Sequence, residues 1–529
     1  MVLRSTALAG SITSKPLGYA SVKSSALLGL TPHLVTVEVS CTRGPPIFHM
    51  VGLPEAPVRE ARVRVASALA GLEVLLDSYA ITVNLAPADL PKSGATLDLA
   101  LALAVLSALG HLPAGCLDGV LVLGELSLDG SLQAMRGVLP QLHGTLGERL
   151  HTAIVPQQNA AEAGLIKRGR VFVAQSLRAV VEHLDGTRAL PEAQPTAFAP
   201  EHDAADLGDL SEVRGQIHAR RALEVAASGG HNLLFVGPPG AGKTLLARLL
   251  RTILPPLSFE EALETTAVHS VAGILSPDKG IVAVRPFRAP HHSVSEPGLV
   301  GGGGHPRPGE VSLAHNGVLF LDELAEFRRG ALEALRQPLE DRQVCIARAR
   351  ARACFPARPL LIAAMNPCPC GFRASVPPAR SCRCTPGQVE RYRQKLSGPL
   401  LDRIDLHVML PPVDVRTLSR GGASESSSVV RERVLAARAR QLARFQSGST
   451  SARTNAELPL DELKRITALN GESRRLLEAA ATQLGLSARA FVKVLRVART
   501  IADLESAEGV GAEHVAEAIQ GRILDRREN

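Results

Sequence analysis

The chain has 529 residues, 45% of them hydrophobic and 21% charged, and a formal net charge of +8. This length exceeds one hydrophobic core and predicts about two to four domains, and the composition is that of an ordinary globular protein. The early basic residues Arg4, Lys15 and Lys23 exclude a secretory signal, and the longest apolar run, 99–109, is too short to span a bilayer. We therefore expect a cytoplasmic protein with no membrane partner. The positive charge favours a polyanionic partner, although an Arg-rich composition also arises from a GC-rich genome.

Residues 1–18 follow no pattern and are predicted to be a disordered extension. Residues 19–185 are predicted to form a domain of alternating strands and helices, with strands at 35–39, 80–84 and 120–124 and a helix at 97–109. The next stretch, 186–210, contains three prolines and no periodicity, which indicates an interdomain linker.

Two stretches of the first domain, 90–96 and 124–130, resemble the Lon-protease-like domain, which has a fold of the ribosomal S5 domain 2 type. Lon enzymes use a Ser–Lys dyad. On that pattern the nucleophile position falls on Thr96 and the lysine position near Leu139, where this chain has no lysine. Because a hydroxyl group without its base is not an activated nucleophile, the resemblance implies a non-proteolytic domain.

One stretch after the linker has the spacing G-x-x-x-x-G-K-[ST]: Gly237, Pro238, Pro239, Gly240, Ala241, Gly242, Lys243 and Thr244. It follows the apolar run 233–236 and precedes the helix-like segment 245–250. Glycines in such a loop let backbone N–H groups surround phosphate oxygens, and the start of the helix adds partial positive charge. Lys243 is predicted to bind the β- and γ-phosphates and to take part in catalysis, and Thr244 to ligate Mg²⁺. The motif therefore predicts an ATP and Mg²⁺ site.

Two later strands end in polar residues suited to ATP hydrolysis. The apolar run 317–321 ends in Asp322, which is predicted to hold Mg²⁺, and Glu323, which is predicted to act as the general base. The run 360–365 ends in Asn366, which can orient the attacking water. Together with the phosphate loop, these residues predict hydrolysis of the bound nucleotide as well as its binding.

Two arginines complete the predicted ATPase. Arg403 lies where ring-forming ATPases place an arginine finger that reaches a neighbouring subunit, and Arg489 is predicted to supply a second guanidinium group to the γ-phosphate. Without the surrounding motifs, Arg403 would equally suit a salt bridge with Asp402 or Asp405 at a helix end.

The order of these motifs resembles the AAA+ superfamily. The stretch 308–317 is similar to the clade of magnesium-chelatase motor subunits and MCM helicases. Three more stretches, 285–292, 366–371 and 398–407, resemble the ComM/YifB-type magnesium chelatase-like bacterial proteins. The resemblance covers residues from about 19 to about 525. It implies a homohexamer and, as in the competence proteins of that family, branch migration of DNA during natural transformation.

The resulting fold prediction is an α/β protein with three folded parts. The Lon-like domain comes first and is followed by an AAA+ P-loop NTPase core with a parallel sheet at 211–415. A flexible connector at 416–428 leads to a C-terminal helical lid at 429–529.

An arginine-rich segment lies between the predicted Asp322 and Asn366 strands. Residues 342–358 contain no acidic residue between their terminal arginines, and Arg348, Arg350 and Arg352 alternate, so an extended strand places all three on one face. We predict a DNA-binding hairpin, with a solvated surface strand as the alternative. Aromatic residues make up only 3% of the chain, so DNA contact should be mainly to the backbone, sensitive to salt and independent of sequence.

Four cysteines form two closely spaced pairs and predict a structural Zn²⁺ site, with four free thiols as the alternative: Cys368, Cys370, Cys382 and Cys384. The other four, Cys41, Cys116, Cys345 and Cys354, are scattered and are expected to be reduced. His291 and His292 are adjacent and expected to point apart, so no metal site is predicted there.

Two functions rival the DNA motor. One is a chelatase motor that drives insertion of a metal into a porphyrin, which the Lon-like domain and the cysteine pairs disfavour. The other is a protein-remodelling ATPase whose arginine strand contacts an acidic protein. Net charge does not separate an acidic protein from DNA as the partner.

Overall fold

The computed structural model describes residues 18–92, 94–201, 208–276, 278–348, 351–373, 381–412, 424–522 and 524, without the side chains of residues 348 and 351. Most of the predicted extension 1–18 and of the predicted connector 416–428 therefore lies outside the described residues. The chain divides into two compact units. The first contains the residues up to 198 together with 266–282 and 347–353, and the second contains the remainder.

The first unit is built on a mixed seven-stranded sheet with the order β3-β4-β2-β1-β5-β8-β9. Its strands are β1 Gly18–Leu28, β2 Thr31–Arg43, β3 Ile47–Val51, β4 Tyr79–Ala86, β5 Val120–Val122, β8 Thr152–Pro156 and β9 Arg170–Ala174, and a separate pair is formed by β6 Glu125–Leu126 and β7 Leu132–Gln133. Its helices are α1 Ala56–Ala70, α2 Asp98–Ala108, α3 Val138–Thr145, α4 Ala160–Ala163 and α5 Leu177–Leu184.

Burial follows the sequence pattern in this unit. Alternate residues of β2, namely Val35, Val37 and Val39, are fully buried, as expected for a strand with one face on a core. Helix α2 is buried from Asp98 through Leu106, which explains why its sequence is a continuous apolar run without a polar face. The predicted strands and helix of this region are all present.

The second unit contains a five-stranded parallel sheet with the order β11-β14-β17-β10-β18. Its strands are β10 Leu233–Val236, β11 Phe287–Arg288, β14 Val318–Leu321, β17 Leu360–Met365 and β18 Leu406–Met409. Every residue of β10, β14 and β17 is buried, because helices cover both faces of a parallel sheet. Two further pairs form separate two-stranded sheets: β12 Gly301–Gly302 with β13 Arg307–Pro308, and the hairpin β15 Gln343–Arg348 with β16 Ala351–Pro356, whose residues 347–353 are counted with the first unit.

Helices make up the rest of the second unit. Those of the core are α6 Ile217–Gly229, α7 Lys243–Leu249, α9 Glu296–Val300, α10 Glu310–Leu313, α11 Arg329–Ala334, α12 Arg336–Asp341, α13 Pro386–Arg393 and α14 Gly398–Leu401, while α8 Phe259–Ala272 continues into the residues of the first unit. The lid helices are Ser427–Gln446, Leu460–Thr467, Gly471–Leu484, Ala488–Leu504 and Ala512–Gln520.

The predicted fold class, α/β with a parallel-sheet core and a C-terminal helical region, is confirmed. Among the described residues, no helix is long and apolar enough to cross a membrane.

Candidate active site

The phosphate loop connects the end of β10 at Val236 to the start of α7 at Lys243. Gly240 and Gly242 have φ angles of +78° and +88°, a left-handed conformation that glycine adopts without a steric penalty. A Cβ atom at either position would meet nothing within 4 Å, so the backbone angle, and not lack of space, requires glycine here. The loop therefore has the geometry that the sequence motif predicts.

The ammonium group of Lys243 lies within the loop. Its Nζ donates to the carbonyl oxygens of Gly237 and Pro238 at 2.7 and 2.9 Å and to Oδ1 of Asn366 at 3.2 Å. Burial lowers the pKa of Lys243, and the charges of Asp322 and Glu323 oppose that shift. The structure thus brings the loop lysine together with the polar residue at the end of β17.

Thr244 and Asp322 meet at the carboxyl edge of the parallel sheet. The Thr244 hydroxyl donates to Oδ2 of Asp322 at 2.7 Å, and the backbone N–H of Glu323 donates to Oδ1 of the same carboxylate at 2.9 Å. One hydroxyl and one carboxylate beside a lysine are the oxygen donors that Mg²⁺ takes when it also binds nucleotide phosphates. The residues present therefore fit Mg²⁺, with Thr244 and Asp322 as its protein ligands.

His292 contacts the predicted general base. Its Nδ1 lies 3.3 Å from Oε2 of Glu323, which itself has a left-handed φ of +52°. From the sequence, His292 was weighed only as a possible metal ligand, and its contact with Glu323 was not predicted. A signal was available, because His292 follows β11, the sheet neighbour of β14, and parallel neighbours end at the same edge.

Arg403 and Arg489 lie side by side at Glu340. Arg403 donates from Nε to the Arg336 carbonyl at 2.8 Å and from Nη1 to the Pro399 carbonyl at 2.7 Å, and its Nη2 forms an ion pair with Glu340. Arg489, on a lid helix, places Nη2 3.7 Å from the other oxygen of Glu340. The two predicted γ-phosphate arginines therefore share one acidic partner.

A buried ion pair holds the segment after Arg403 against the same lid helix. Nζ of Lys493 lies 2.8 Å from Oδ1 of Asp405, and the backbone N–H of Asn232 donates to Oδ2 at 2.9 Å. Burial would raise the pKa of Asp405, but the charge of Lys493, together with the hydrogen bonds from Lys493 and Asn232, outweighs it and holds that pKa below its ordinary value. The ion pair thus joins the segment that carries Arg403 to the lid helix that carries Arg489.

These arginines line a cavity of about 720 Å³ in the second unit, together with Glu340 and Lys493. Residues 237–244 of the phosphate loop are not among the residues that line it.

The four paired cysteines converge on one point, and their ligand atoms all lie within 4.8 Å of one another. Cys368 is fully buried and the other three are half-buried. Backbone hydrogen bonding lowers the pKa of Cys370 to about 6, and the largest effect comes from the backbone of Phe372. The cluster is therefore able to hold a metal ion.

Three family descriptions match consecutive parts of the sequence. Residues 37–159 match subunit ChlI of Mg-chelatase, residues 209–418 match magnesium chelatase subunit ChlI, and residues 424–522 match the C-terminal part of that subunit. Competence protein ComM of Haemophilus influenzae is 44% identical over 511 residues, which are 96% of this chain and 98% of ComM. The protein YifB of Salmonella typhimurium is 44% identical over 514 residues, 96% of this chain and 97% of YifB. The chain belongs to the ComM/YifB-type family of magnesium chelatase-like proteins.

Membership of this AAA+ family indicates an ATPase that uses ATP and Mg²⁺, in agreement with the loop and carboxylate geometry. A further similarity is to Lon protease 2 of Bacillus subtilis, which is 29% identical over 189 residues, or 33% of this chain and 32% of that protease. This similarity agrees with the Lon-like domain expected from the sequence.

One expectation about the cysteines of this ComM/YifB-type chain is wrong. Cys345 and Cys354 are joined by a disulfide bond between β15 and β16, whereas both thiols were expected to be reduced. Pairing of the two strands places the cysteines opposite each other, which their separation of nine residues in sequence does not reveal.

The predicted DNA-binding arginines lie on the same hairpin. Arg350 and the side chain of Arg348 fall outside the described residues, while Arg352 is exposed.

Proposed function

We propose that the chain is the subunit of a cytoplasmic homohexameric ATPase that moves DNA branch points, a branch-migration helicase of natural transformation and homologous recombination. Support for the ATPase comes from two hydrogen bonds, one from Lys243 to Asn366 and one from Thr244 to Asp322. Support for the pathway comes from the 44% identical relative that is named a competence protein. Competence is the state in which a bacterium takes up DNA.

In this proposal each chain supplies the groups that bind and hydrolyse ATP. Lys243 and the loop N–H groups bind the phosphates, and Thr244 and Asp322 hold Mg²⁺, which supplies charge neutralisation at the phosphates when bound. Glu323 accepts a proton from the attacking water, and Asn366 orients that water. The contact with His292 limits the directions in which the Glu323 carboxylate points.

The arginine pair supports assembly into a ring. Arg403 and Arg489 share Glu340 at a cavity that the phosphate loop does not line. An arginine finger acts on charge that develops at a γ-phosphate, so it needs a nucleotide within reach. A neighbouring chain that docks its phosphate loop at this cavity provides one, and we infer that both arginines act on the neighbour's ATP.

DNA as the substrate rests on one observation, the arginine-bearing hairpin β15–β16. It lies in sequence between β14, which ends before Asp322 and Glu323, and β17, which ends before Asn366; helices α11 and α12 separate it from β14, and β17 follows it directly. Arg352 is exposed on it, and Arg348 and Arg350 precede Arg352 at intervals of two residues. Guanidinium groups bind phosphate oxygens with high specificity, which suits contact with a DNA backbone.

The experiment is the ATPase rate with no DNA, duplex DNA, single-stranded DNA and a four-way junction, with Glu323→Gln as the inactive control. The proposal requires stimulation by branched or single-stranded DNA. A rate that is the same with every DNA would overturn the DNA motor and leave the protein-remodelling or chelatase-like ATPase as the function.

A further inference from the structure

The four-cysteine cluster has the dimensions of a metal tetrahedron. Sγ of Cys368 lies 3.4 Å from that of Cys370 and 3.7 Å from that of Cys382, and the Cys370 and Cys382 sulfurs are 3.5 Å apart. With Zn–S bonds of about 2.3 Å, neighbouring sulfurs of a tetrahedral site lie about 3.8 Å apart. The separations are thus close to those of a tetrathiolate zinc site and far longer than the roughly 2.05 Å of a disulfide.

Gly371 connects this cluster to the phosphate loop. Its φ is +84°, and a Cβ atom at this position would lie 2.7 Å from Cδ of Pro239 and 3.9 Å from Cγ of Asn366. The Gly371 N–H donates to the carbonyl of Cys368 at 2.9 Å, which closes a tight turn that contains the ligands Cys368 and Cys370. The backbone directly after the second cysteine is thus packed on the loop that binds the nucleotide.

We propose that Cys368, Cys370, Cys382 and Cys384 bind one Zn²⁺ ion and that this ion, through Gly371, holds Pro239 and Asn366 in the positions needed for ATP hydrolysis. The coupling rests on the ATPase of the proposed function but not on its DNA substrate. When the metal is removed, the turn that ends at Gly371 loses the constraint of the two ligands that precede it, Cys368 and Cys370. The phosphate loop then loses the surface on which Pro239 packs, while the sheet beneath it keeps its own core.

The first test is the metal content of the purified chain. Mass spectrometry of the metals should find about one zinc ion per chain, and Cys382→Ser and Cys384→Ser should each reduce that content at least about tenfold. Addition of Co²⁺ alone to the zinc-stripped chain should give the visible absorption of a tetrahedral cobalt thiolate. The assignment would be overturned if all four cysteines titrated as free thiols in a chain prepared with excess Zn²⁺. It would also be overturned if the purified chain contained a different metal at this site.

The second test separates the coupling from metal binding. Gly371→Ala keeps every ligand but places a methyl group against Pro239 on a left-handed backbone. We expect unchanged zinc content and weaker binding of a fluorescent ATP analogue, with kcat for ATP reduced about tenfold. The control is Gly387→Ala in the same region, because Gly387 is exposed and a Cβ atom there meets nothing within 4 Å.

Zinc-stripped chain, with its secondary structure checked by circular dichroism, should show the same loss of nucleotide binding, and added Zn²⁺ should restore it. Nucleotide binding and ATP hydrolysis that are equal with and without zinc would overturn the coupling. Zinc-dependent ATP hydrolysis that no DNA stimulates would overturn the DNA motor while leaving the coupling intact.

Discussion

Arg403 and Arg489 bind the same carboxylate group, one at each oxygen of Glu340. They come from different parts of the chain, the turn before β18 and the lid helix Ala488–Leu504. Both line a cavity from which the phosphate loop of the same chain is absent. This arrangement is the basis of our proposal that the active site is shared between two subunits.

A mixing experiment tests that shared site. Arg403→Ala and Lys243→Ala should each reduce ATP hydrolysis by about 10³-fold, because each removes a different half of every site. Mixing the two variants should restore part of the rate, since an intact phosphate loop of the first then meets an intact arginine of the second. The same recovery should follow for Arg489→Ala with Lys243→Ala. A mixed rate equal to the average of the two separate rates would show that the arginines act within their own chain.

Glu323→Gln should leave ATP binding intact and reduce its hydrolysis at least about a hundredfold, because an amide cannot accept the proton of the attacking water. The measurements are binding of a labelled ATP and phosphate release by the same preparation. Glu326→Gln, three residues further on, is the matched control and should keep most of the activity. Loss of nucleotide binding in Glu323→Gln would show that the residue is structural.

The buried pair of Asp405 and Lys493 should dominate the stability of the contact between core and lid. Lys493→Met leaves a buried carboxylate without its partner and should destabilise the second unit by about 3–5 kcal/mol. The double variant Asp405→Asn with Lys493→Met should recover much of this loss. The measurement is the urea midpoint, with Lys464→Met on an exposed part of the lid as the control. Equal loss in the single and double variants would contradict a role for the ion pair.

Stability should fall on acidification because of His231. Burial lowers the pKa of this fully enclosed histidine from 6.5 to about 4, and its Nε2 lies 2.7 Å from the Thr500 hydroxyl. Between these two pH values the unfolded chain binds a proton that the folded chain does not. The free energy of unfolding should therefore keep its maximal value above pH 6.5 and decrease by up to about 3 kcal/mol as the pH falls towards 4.

The comparison that isolates this effect uses His231→Gln, whose stability should vary less with pH over the same range. His218→Gln, at an exposed position, should keep the slope of the parent chain. Identical pH profiles for all three chains would show that other groups cause the acid sensitivity.

Arg352→Glu should weaken DNA binding. It should also reduce the slope of log affinity against log salt concentration by about the amount that one phosphate contact contributes. Arg62→Glu on α1 makes the same change of charge at another exposed site and should have little effect beyond that of net charge. The measurement is the dissociation constant for single-stranded DNA at several salt concentrations. Equal effects of the two substitutions would indicate a general electrostatic attraction in place of a defined contact.

The parts of the site that could be predicted from the sequence lie either in one contiguous motif or at the ends of parallel strands, which meet at one edge of the sheet. The phosphate loop is a contiguous motif, so its glycines and Lys243 needed no tertiary information. Thr244 and Asp322 could be placed together because parallel strands end at one edge of the sheet. The contact between Lys243 and Asn366 follows from the same rule.

Other contacts depend on packing that no local pattern reveals. The ion pair of Lys493 with Asp405 and the approach of Arg489 to Glu340 require the orientation of a lid helix on the core. The packing of Gly371 on Pro239 requires the path of the chain after β17. Cys345 and Cys354 lie at equal distances from the break between β15 and β16, so their pairing could have been predicted once the register of that hairpin was known.

The most direct test of the central claim is movement of a branch point in a synthetic four-way junction with labelled strands, followed with ATP and with a non-hydrolysable analogue. An ATP-driven DNA motor should convert the junction into two duplexes only with ATP, and Glu323→Gln should abolish that conversion. A junction that is bound but not moved, while ATP is hydrolysed at an unchanged rate, would contradict the account.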